Sequence, residues 1–247
     1  MAAHHHSAPQ GSGELPLISN AFLYKLTGTI AALALLTAGI SVSGRFFGER
    51  IALAGHTDST ETISLTIGED RLTLPANVIR FARQRQNGPA ERVDLYLTWP
   101  DLNGYEADRR NLFNDVKLSD SLIFLQISQS TMSRDMSGRL EPIYSYLFDN
   151  QSRPAADGLT MHRMKPEAGY GDEVFFTAPR SGAADYVVRC ILPATPEEAT
   201  SGDCQRDIHI GNDLSVMYRF SSRHLPDWQH IDAEIQSFVV SHLANPA

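Results

Sequence analysis

The sequence predicts the α+β class: an N-terminal transmembrane helix, then a mostly antiparallel β-sheet domain that ends in a C-terminal amphipathic helix. Three observations predict this arrangement. No charged residue occurs between Lys25 and Arg45. Several later segments alternate between apolar and polar residues, as half-buried strands do, and the last segment spaces its apolar residues at helical intervals. Strands that precede a terminal helix favour a mostly antiparallel sheet.

The charge-free stretch predicts a membrane anchor. A membrane-spanning helix needs roughly 20 mostly apolar residues, and residues 21–44 have that length. We therefore predict a signal-anchor helix over 21–44 that lies in the lipid bilayer, after a flexible cytoplasmic tail over 1–20. Two alternatives stay open. A cleaved signal peptide would use the small residues 41–43 as its cleavage site, and a soluble protein could bury the helix, although residues 30–36 are apolar on every side.

The cysteines predict the compartment, because the basic residues that flank the anchor are too evenly divided to orient it. Cys190 and Cys204 lie in two strand-like segments, and the loop 193–203 between them is rich in turn-forming residues. A disulfide across such a loop contributes about 3 kcal/mol and persists only in an oxidising compartment. We predict this disulfide and a periplasmic domain over 45–247 on a single-pass inner-membrane protein. The alternative is two free thiols in a cytosolic domain.

The composition agrees with one folded, acidic domain after the anchor. The net charge is −8 and 42% of the residues are hydrophobic, so the chain has the material for a core. An acidic balance argues against nucleic acid as a partner, because proteins that bind nucleic acids carry basic patches.

The remaining elements follow from the spacing of apolar residues. A short helix is predicted over 76–85, with Pro75 near its first turn and Gly88 after its end. The continuous apolar run 122–127 indicates a central strand that is buried on both faces. The C-terminal helix is predicted over 226–243, with acidic residues early in it. The strands are predicted at 51–67 (in short runs), 72–74, 92–99, 122–127, 174–177, 185–192, 204–210 and 213–220.

Two groups of residues are candidates for partner binding. Tyr105 and Tyr170 lie in the long loops between residues 100 and 170, and tyrosine adds contact area to an interface at little entropic cost. Arg80, Arg83 and Arg85 would share the short helix and could meet lipid headgroups or an acidic partner. The alternatives are that the tyrosines cap the core and that the arginines form a solvated surface.

No short catalytic motif is present. The sequence lacks the signatures of serine hydrolases, P-loop proteins and zinc peptidases, so the catalytic residues stay unassigned. Asp207, His209 and Asp213 are close in the chain and could form a metal or acid–base site, but a histidine in a strand of alternating polarity usually faces solvent. The histidines at 4–6 are a weak metal signal. No metal and no cofactor is predicted.

Five segments carry a resemblance to a protein group. They are IALAGHTD at 51–58, LPANVIRF at 74–81, VDLYLTWP at 93–100, MSGRLEPIY at 136–144 and RDIHIG at 206–211. With these segments the chain resembles a group of uncharacterised membrane-anchored proteins of rhizobia and related α-proteobacteria. The resemblance implies the same architecture and brings no activity, ligand or catalytic residue with it.

Two classes of function are therefore open. The first is an envelope accessory protein, anchored in the inner membrane, whose periplasmic domain binds another envelope protein or a cell-wall partner through its loops. The second is an envelope hydrolase or metal-dependent enzyme with a dispersed site of Asp, Glu and His. The anchor, the long loops and the missing catalytic motifs favour the first class.

Overall fold

The structure is a computed structural model that describes residues 19–52 and 55–244. The chain consists of two units, residues 1–54 and residues 55–247. In the first unit, helix α1 spans Asn20–Ala52. Its segment Asn20–Val42 is long and apolar enough to cross a membrane, so it can be an anchor or a signal sequence. The helix continues beyond residue 44, so the strand predicted from residue 51 begins later than expected. The predicted flexible tail and the histidines at 4–6 lie outside the described residues, except for the last two positions of the tail.

The second unit has the predicted α+β class. A π-helix, Leu140–Tyr144, directly precedes the short helix α3. The strands and α-helices of this unit are β1 (Thr62–Ile67), β2 (Asp70–Pro75), β3 (Gly88–Pro89), β4 (Arg92–Thr98), α2 (Arg110–Asn114), β5 (Leu122–Gln129), α3 (Ser145–Leu147), β6 (Phe148–Pro154), β7 (Thr160–Met164), β8 (Val174–Ala178), β9 (Tyr186–Cys190), β10 (Cys204–Ile210), β11 (Leu214–Phe220) and α4 (Trp228–Ser241).

Eight strands form one antiparallel sheet in the order β4-β5-β11-β10-β9-β8-β7-β6. A smaller sheet has the order β2-β1-β3, in which β1 and β2 are antiparallel and β3 is parallel to β1. The predicted strands at 92–99, 122–127, 174–177, 185–192, 204–210 and 213–220 are confirmed.

The helix predicted over 76–85 is wrong. The chain forms two single 3₁₀ turns, Ala76–Val78 and Ala82–Gln84, with extended residues between them. Ile79 makes an isolated β-bridge with Leu95, and the Arg80 amide donates to the Asp94 carbonyl (2.8 Å). Pairing with β4 therefore overrides the local helical spacing, as tertiary contacts often do.

The main core lies between the inner face of the large sheet, helix α4 and the β1–β2 hairpin. Helix α4 buries Trp228, Ile231, Ile235 and Val239 in this core. Leu243, just after the helix, forms a bridge with Leu72 of β2. The predicted docking of an amphipathic C-terminal helix is thus confirmed.

The outer face of the large sheet is covered over only part of its width. The segment 130–147 packs on β8 and β9, where Met136, Leu140 and Tyr144 contact Phe175 and Val187 in a second, smaller core. The outward side chains of Phe124, Gln126 and Ser128 on β5, and of Ser215, Met217 and Arg219 on β11, stay partly or fully exposed. The expectation that the 122–127 strand is buried on both faces is therefore wrong, although β5 is an internal strand as predicted.

The large sheet has a seam between β9 and β10. The registered pairs across it are Cys190–Cys204 and Arg189–Gln205, and the predicted disulfide joins the first of these pairs. The disulfide therefore links the half of the sheet that contains β4, β5, β11 and β10 to the half that contains β9 to β6.

Beyond these pairs, the segment 135–139 fills the opening between the two strands. The Met136 amide donates to the Asp207 carbonyl of β10 (3.3 Å). The buried Arg206 guanidinium donates to the Val187 carbonyl of β9 (2.8 Å) and to the Ser137 hydroxyl (3.0 Å). Arg206 thus satisfies polar groups that the separated strands leave buried.

Candidate functional site: a groove on the outer sheet face

A groove of about 470 Å³ lies on the outer face of the large sheet, across the seam. Its floor consists of outward side chains of β5, β11 and β10, and one wall is the segment 130–144. Tyr170 and Arg189 border it from the β9 side. The residues that line the groove include Gln126, Ser130, Met132, Met136, Arg139, Ile143, Tyr144, Tyr170, Arg189, Gln205, Asp207, His209 and Met217.

An ion pair between Arg139 and Asp207 joins the wall to the floor. Arg139 also donates from Nε to the Tyr144 hydroxyl (2.9 Å) and from Nη1 to the Arg134 carbonyl (2.9 Å). Burial by itself lowers the pKa of the Arg139 guanidinium, but its hydrogen bonds to Asp207 and Tyr144 outweigh burial and raise that pKa. Burial also raises the pKa of the Tyr144 hydroxyl. Arg139 therefore stays charged and the Tyr144 hydroxyl stays protonated at neutral pH.

His209 contacts the opposite side of the wall. Its Nε2 lies 2.9 Å from the Ser130 hydroxyl oxygen, and this hydroxyl donates to the Met132 carbonyl (2.7 Å). The Ser130 hydroxyl has a single hydrogen, so which group donates in its contact with His209 depends on the tautomer of the imidazole. The contact joins the loop at Ser130 to the outward face of β10.

The Asp213 carboxylate is engaged by groups other than Asp207 and His209. Its carboxylate accepts from the Gln129 amide side chain (2.6 Å) and from the Glu69 backbone amide (3.2 Å). Asp213 therefore connects the turn between β10 and β11 to the turn between β1 and β2. Gly68 has φ +57°, and a Cβ there would lie 2.4 Å from the Asp213 carboxylate, so the close approach requires glycine.

The predicted metal or acid–base site is therefore only partly assembled. Asp207 and His209 share the outward face of β10 and line the groove, whereas Asp213 is committed to a turn. Within residues 19–52 and 55–244, no group of three or more His, Cys, Asp or Glu side chains is placed to hold a metal ion. Asp207 is also neutralised by Arg139, which leaves it poorly suited as a metal ligand.

The two candidate tyrosines differ in their exposure to solvent. Tyr105 is 1% exposed and stacks on His56, with centroids 4.7 Å apart, so the prediction that it is available to a partner is wrong. His56 also lies 3.0 Å from the Tyr96 hydroxyl, and burial is the main cause that lowers the pKa of its imidazole. Tyr170 is partly exposed, packs edge-on against Phe175 and lines the groove.

The candidate arginines do not share a helix face. Arg85 donates to the carbonyls of Ile79, Arg80 and Gly55, so it holds its own loop together. Arg80 and Arg83 are exposed, and both guanidinium groups lie over the Phe81 ring. Only these two remain available to a partner.

Several groove residues have no recognisable signature in the sequence. Arg139, Ser130 and Arg189 come from loop or strand positions that look like ordinary surface. Arg206 is different, because it occupies an inward position of β10 between Cys204 and Ile208. A charged residue on the apolar face of a predicted strand indicates a buried polar network. The position of Arg206 in the sequence therefore predicts such a network.

No protein-family model matches the chain, and no curated protein matches its sequence. Two solved structures are similar to it. An immunity protein of the Stenotrophomonas maltophilia type IV secretion system has a TM-score of 0.52 at 18% identity, over 77% of this chain and 96% of that chain. The iron-regulated outer membrane lipoprotein FrpD of Neisseria meningitidis has a TM-score of 0.46 at 14% identity, over the same shares. The first likeness shows a shared fold.

Proposed function

We propose that this chain is a single-pass inner-membrane protein whose periplasmic domain is an accessory protein that binds a partner protein at the groove. The observation that carries the proposal is the apolar rim of the groove. Met132 is 59% exposed and Ile143 is 42% exposed, and both line the groove together with Tyr170 and Arg139. Methionine, tyrosine and arginine are enriched in protein interfaces.

The groove is also preorganised. Arg139 is held by Asp207 and Tyr144, and His209 is held by Ser130. Side chains that are already ordered lose little entropy when a partner binds, so more of the contact energy contributes to affinity. The shared fold with an immunity protein of a secretion system supports an accessory role of this kind.

Two features support the proposed periplasmic location of the domain. Helix α1 has a segment that is long enough to cross a membrane, and the disulfide Cys190–Cys204 is stable only where conditions are oxidising. Together they favour a cytoplasmic N-terminus and a periplasmic domain.

A reporter fusion tests this topology. Alkaline phosphatase fused after Ala247 should be active in a Gram-negative host, because that enzyme needs an oxidising compartment for its own disulfides. A cytoplasmic reporter at the same position should be inactive. The reverse result would contradict the compartment and remove the basis for a stable disulfide in the cell.

Site-specific photocrosslinking tests the groove. A photoreactive phenylalanine analogue at Met132 or Ile143 of the full chain, in its native membrane, should yield a discrete protein adduct. The matched control is Val240, an exposed apolar residue on α4 at the other face of the sheet. The proposal fails if neither groove position gives an adduct, or if Val240 gives the same one.

A further inference from the structure

A row of arginine and phenylalanine side chains crosses the outer face of the large sheet. We name it the arginine ladder and define it as Arg83, Phe81, Arg80, Phe124 and Arg219. The guanidinium carbons of Arg83 and Arg80 lie 5.4 Å and 5.1 Å from the Phe81 ring centroid, and that of Arg80 also lies 4.8 Å from the Phe124 centroid. Arg219 of β11 is the direct cross-strand partner of Phe124.

The arginine ladder leads into the groove. Gln205 of β10 is the cross-strand partner of Arg219, and Arg189 of β9 is the partner of Gln205. Gln205 and Arg189 both line the groove. Directly opposed side chains on one sheet face are about 4.5–5.5 Å apart at Cβ. The arginine ladder and the groove therefore form one continuous surface over β5, β11, β10 and β9.

The arginines of this ladder are not neutralised by the protein itself. In the part of the chain that the structure describes, Arg80, Arg83 and Arg219 form no ion pair, whereas Arg189 pairs with Glu173 (3.4 Å). The whole chain carries a net charge of −8. Three unpaired arginines in one row therefore form a positively charged area on an otherwise acidic protein.

Stacking also prepares Arg80 and Arg83 to bind carboxylates. A guanidinium that lies over an aromatic ring uses its face and keeps its edge N–H donors free. Those donors form a planar fork that matches the two oxygens of a carboxylate. The rings limit the rotamers of the arginines before any partner arrives, which lowers the entropic cost of binding.

We propose that the arginine ladder docks an acidic, Asp- and Glu-rich segment of the partner protein whose other part enters the groove. This inference rests on the proposed function, because it states the chemistry of that partner. A protein segment is favoured over anionic lipid because the arginine ladder continues into a groove with apolar and polar walls, which fits a peptide.

The test uses the full chain in phosphatidylcholine nanodiscs with a fluorescein-labelled polyglutamate peptide as the probe. Fluorescence anisotropy should show binding that weakens as salt is raised, because exposed charges are screened. The triple variant R80Q/R83Q/R219Q should bind the peptide about tenfold more weakly, since each exposed charge pair contributes a modest amount.

A control variant has the same change of charge away from this row. It replaces three other exposed arginines, on β2, α2 and β7: R71Q, R110Q and R163Q. Its affinity should stay within about twofold of the original, and both variants should melt as the unmodified chain does. An equal loss in both variants, or no binding by the unmodified chain, overturns the inference.

Vesicles of phosphatidylglycerol test whether the same arginines bind anionic lipid. If the chain binds these vesicles through the same three arginines and does not bind the peptide, the surface recognises lipid and the inference is wrong. The groove proposal is tested separately, because adducts from Met132 and Ile143 do not depend on the polyglutamate result.

Discussion

Replacing Asp232 with alanine is expected to lower the free energy of unfolding by about 3–5 kcal/mol. Asp232 lies on α4 and is buried. Its carboxylate accepts from Arg206 Nε (2.9 Å), Arg180 Nη1 (2.9 Å), the Tyr218 hydroxyl (2.7 Å) and the Gln236 amide (3.1 Å). The substitution removes every one of these contacts.

The large loss of stability arises because the Arg206 guanidinium stays buried without its counterion. Arg206 is 1% exposed, and its guanidinium lies over the Tyr186 ring. Burial by itself lowers the pKa of Arg206, but Tyr218, Asp232 and Tyr186 outweigh it and raise that pKa above its ordinary value. Arginine stays protonated in proteins, so the variant must bury a charge without its counterion or open the structure to water.

Urea unfolding followed by circular dichroism measures this loss. The matched control is Glu234→Ala, an exposed carboxylate on the same helix, which should change stability by no more than about 0.5 kcal/mol. If Asp232→Ala costs no more than Glu234→Ala, the network contributes nothing net and α4 is held by its apolar face alone.

The network also links the two faces of the sheet. Arg206 and Arg180 both donate to the Ser137 hydroxyl (3.0 Å and 3.3 Å). Ser137 lies between Met136 and Arg139, which line the groove. The inner-face helix α4 is thus connected through one buried carboxylate to the segment that forms the groove wall. Loss of Asp232 should loosen that wall as well as the core.

Most of the strands and the C-terminal helix could be predicted because their signals are local. Alternation at 92–99 and 213–220 and helical spacing at 226–243 each reflect a single buried face. The disulfide could be predicted for a similar reason, because Cys190 and Cys204 flank one turn-rich loop and therefore come together as cross-strand partners.

The predictions that were wrong concern segments whose structure depends on contacts between distant parts of the chain. The 76–85 segment has helical spacing, yet Ile79 and Arg80 pair with β4 and keep it extended. Tyr105 is buried among residues that are distant in the sequence: its ring stacks on His56, and its backbone forms hydrogen bonds with Asn77. Asp207 and His209 share the outward face of β10 because residues two apart in a strand point to the same side.

The groove itself had no local signature. It exists because the sheet opens at the seam and the segment 130–144 packs across the opening. Neither feature depends on a motif, so the residues Arg139 and Ser130 could not be selected from the sequence.

Replacing Trp228 with alanine is the second change with a large expected effect, about 3–5 kcal/mol for a fully buried aromatic residue. Trp228 is 3% exposed at the start of α4. Its ring packs on Tyr186 with centroids 4.3 Å apart, and its indole N–H donates to the Asp157 carbonyl (3.1 Å). The variant therefore creates a cavity and leaves a carbonyl without its donor.

Trp228→Phe separates these two contributions in the same urea experiment. Phenylalanine keeps an aromatic ring against Tyr186 and loses the hydrogen bond to Asp157, so its cost should be clearly smaller than that of alanine. A truncation after Leu225 should abolish cooperative unfolding, because it removes the whole buried face of α4. If the truncated chain melts as the full chain does, α4 does not complete the core, and α4 becomes the candidate binding element in place of the groove.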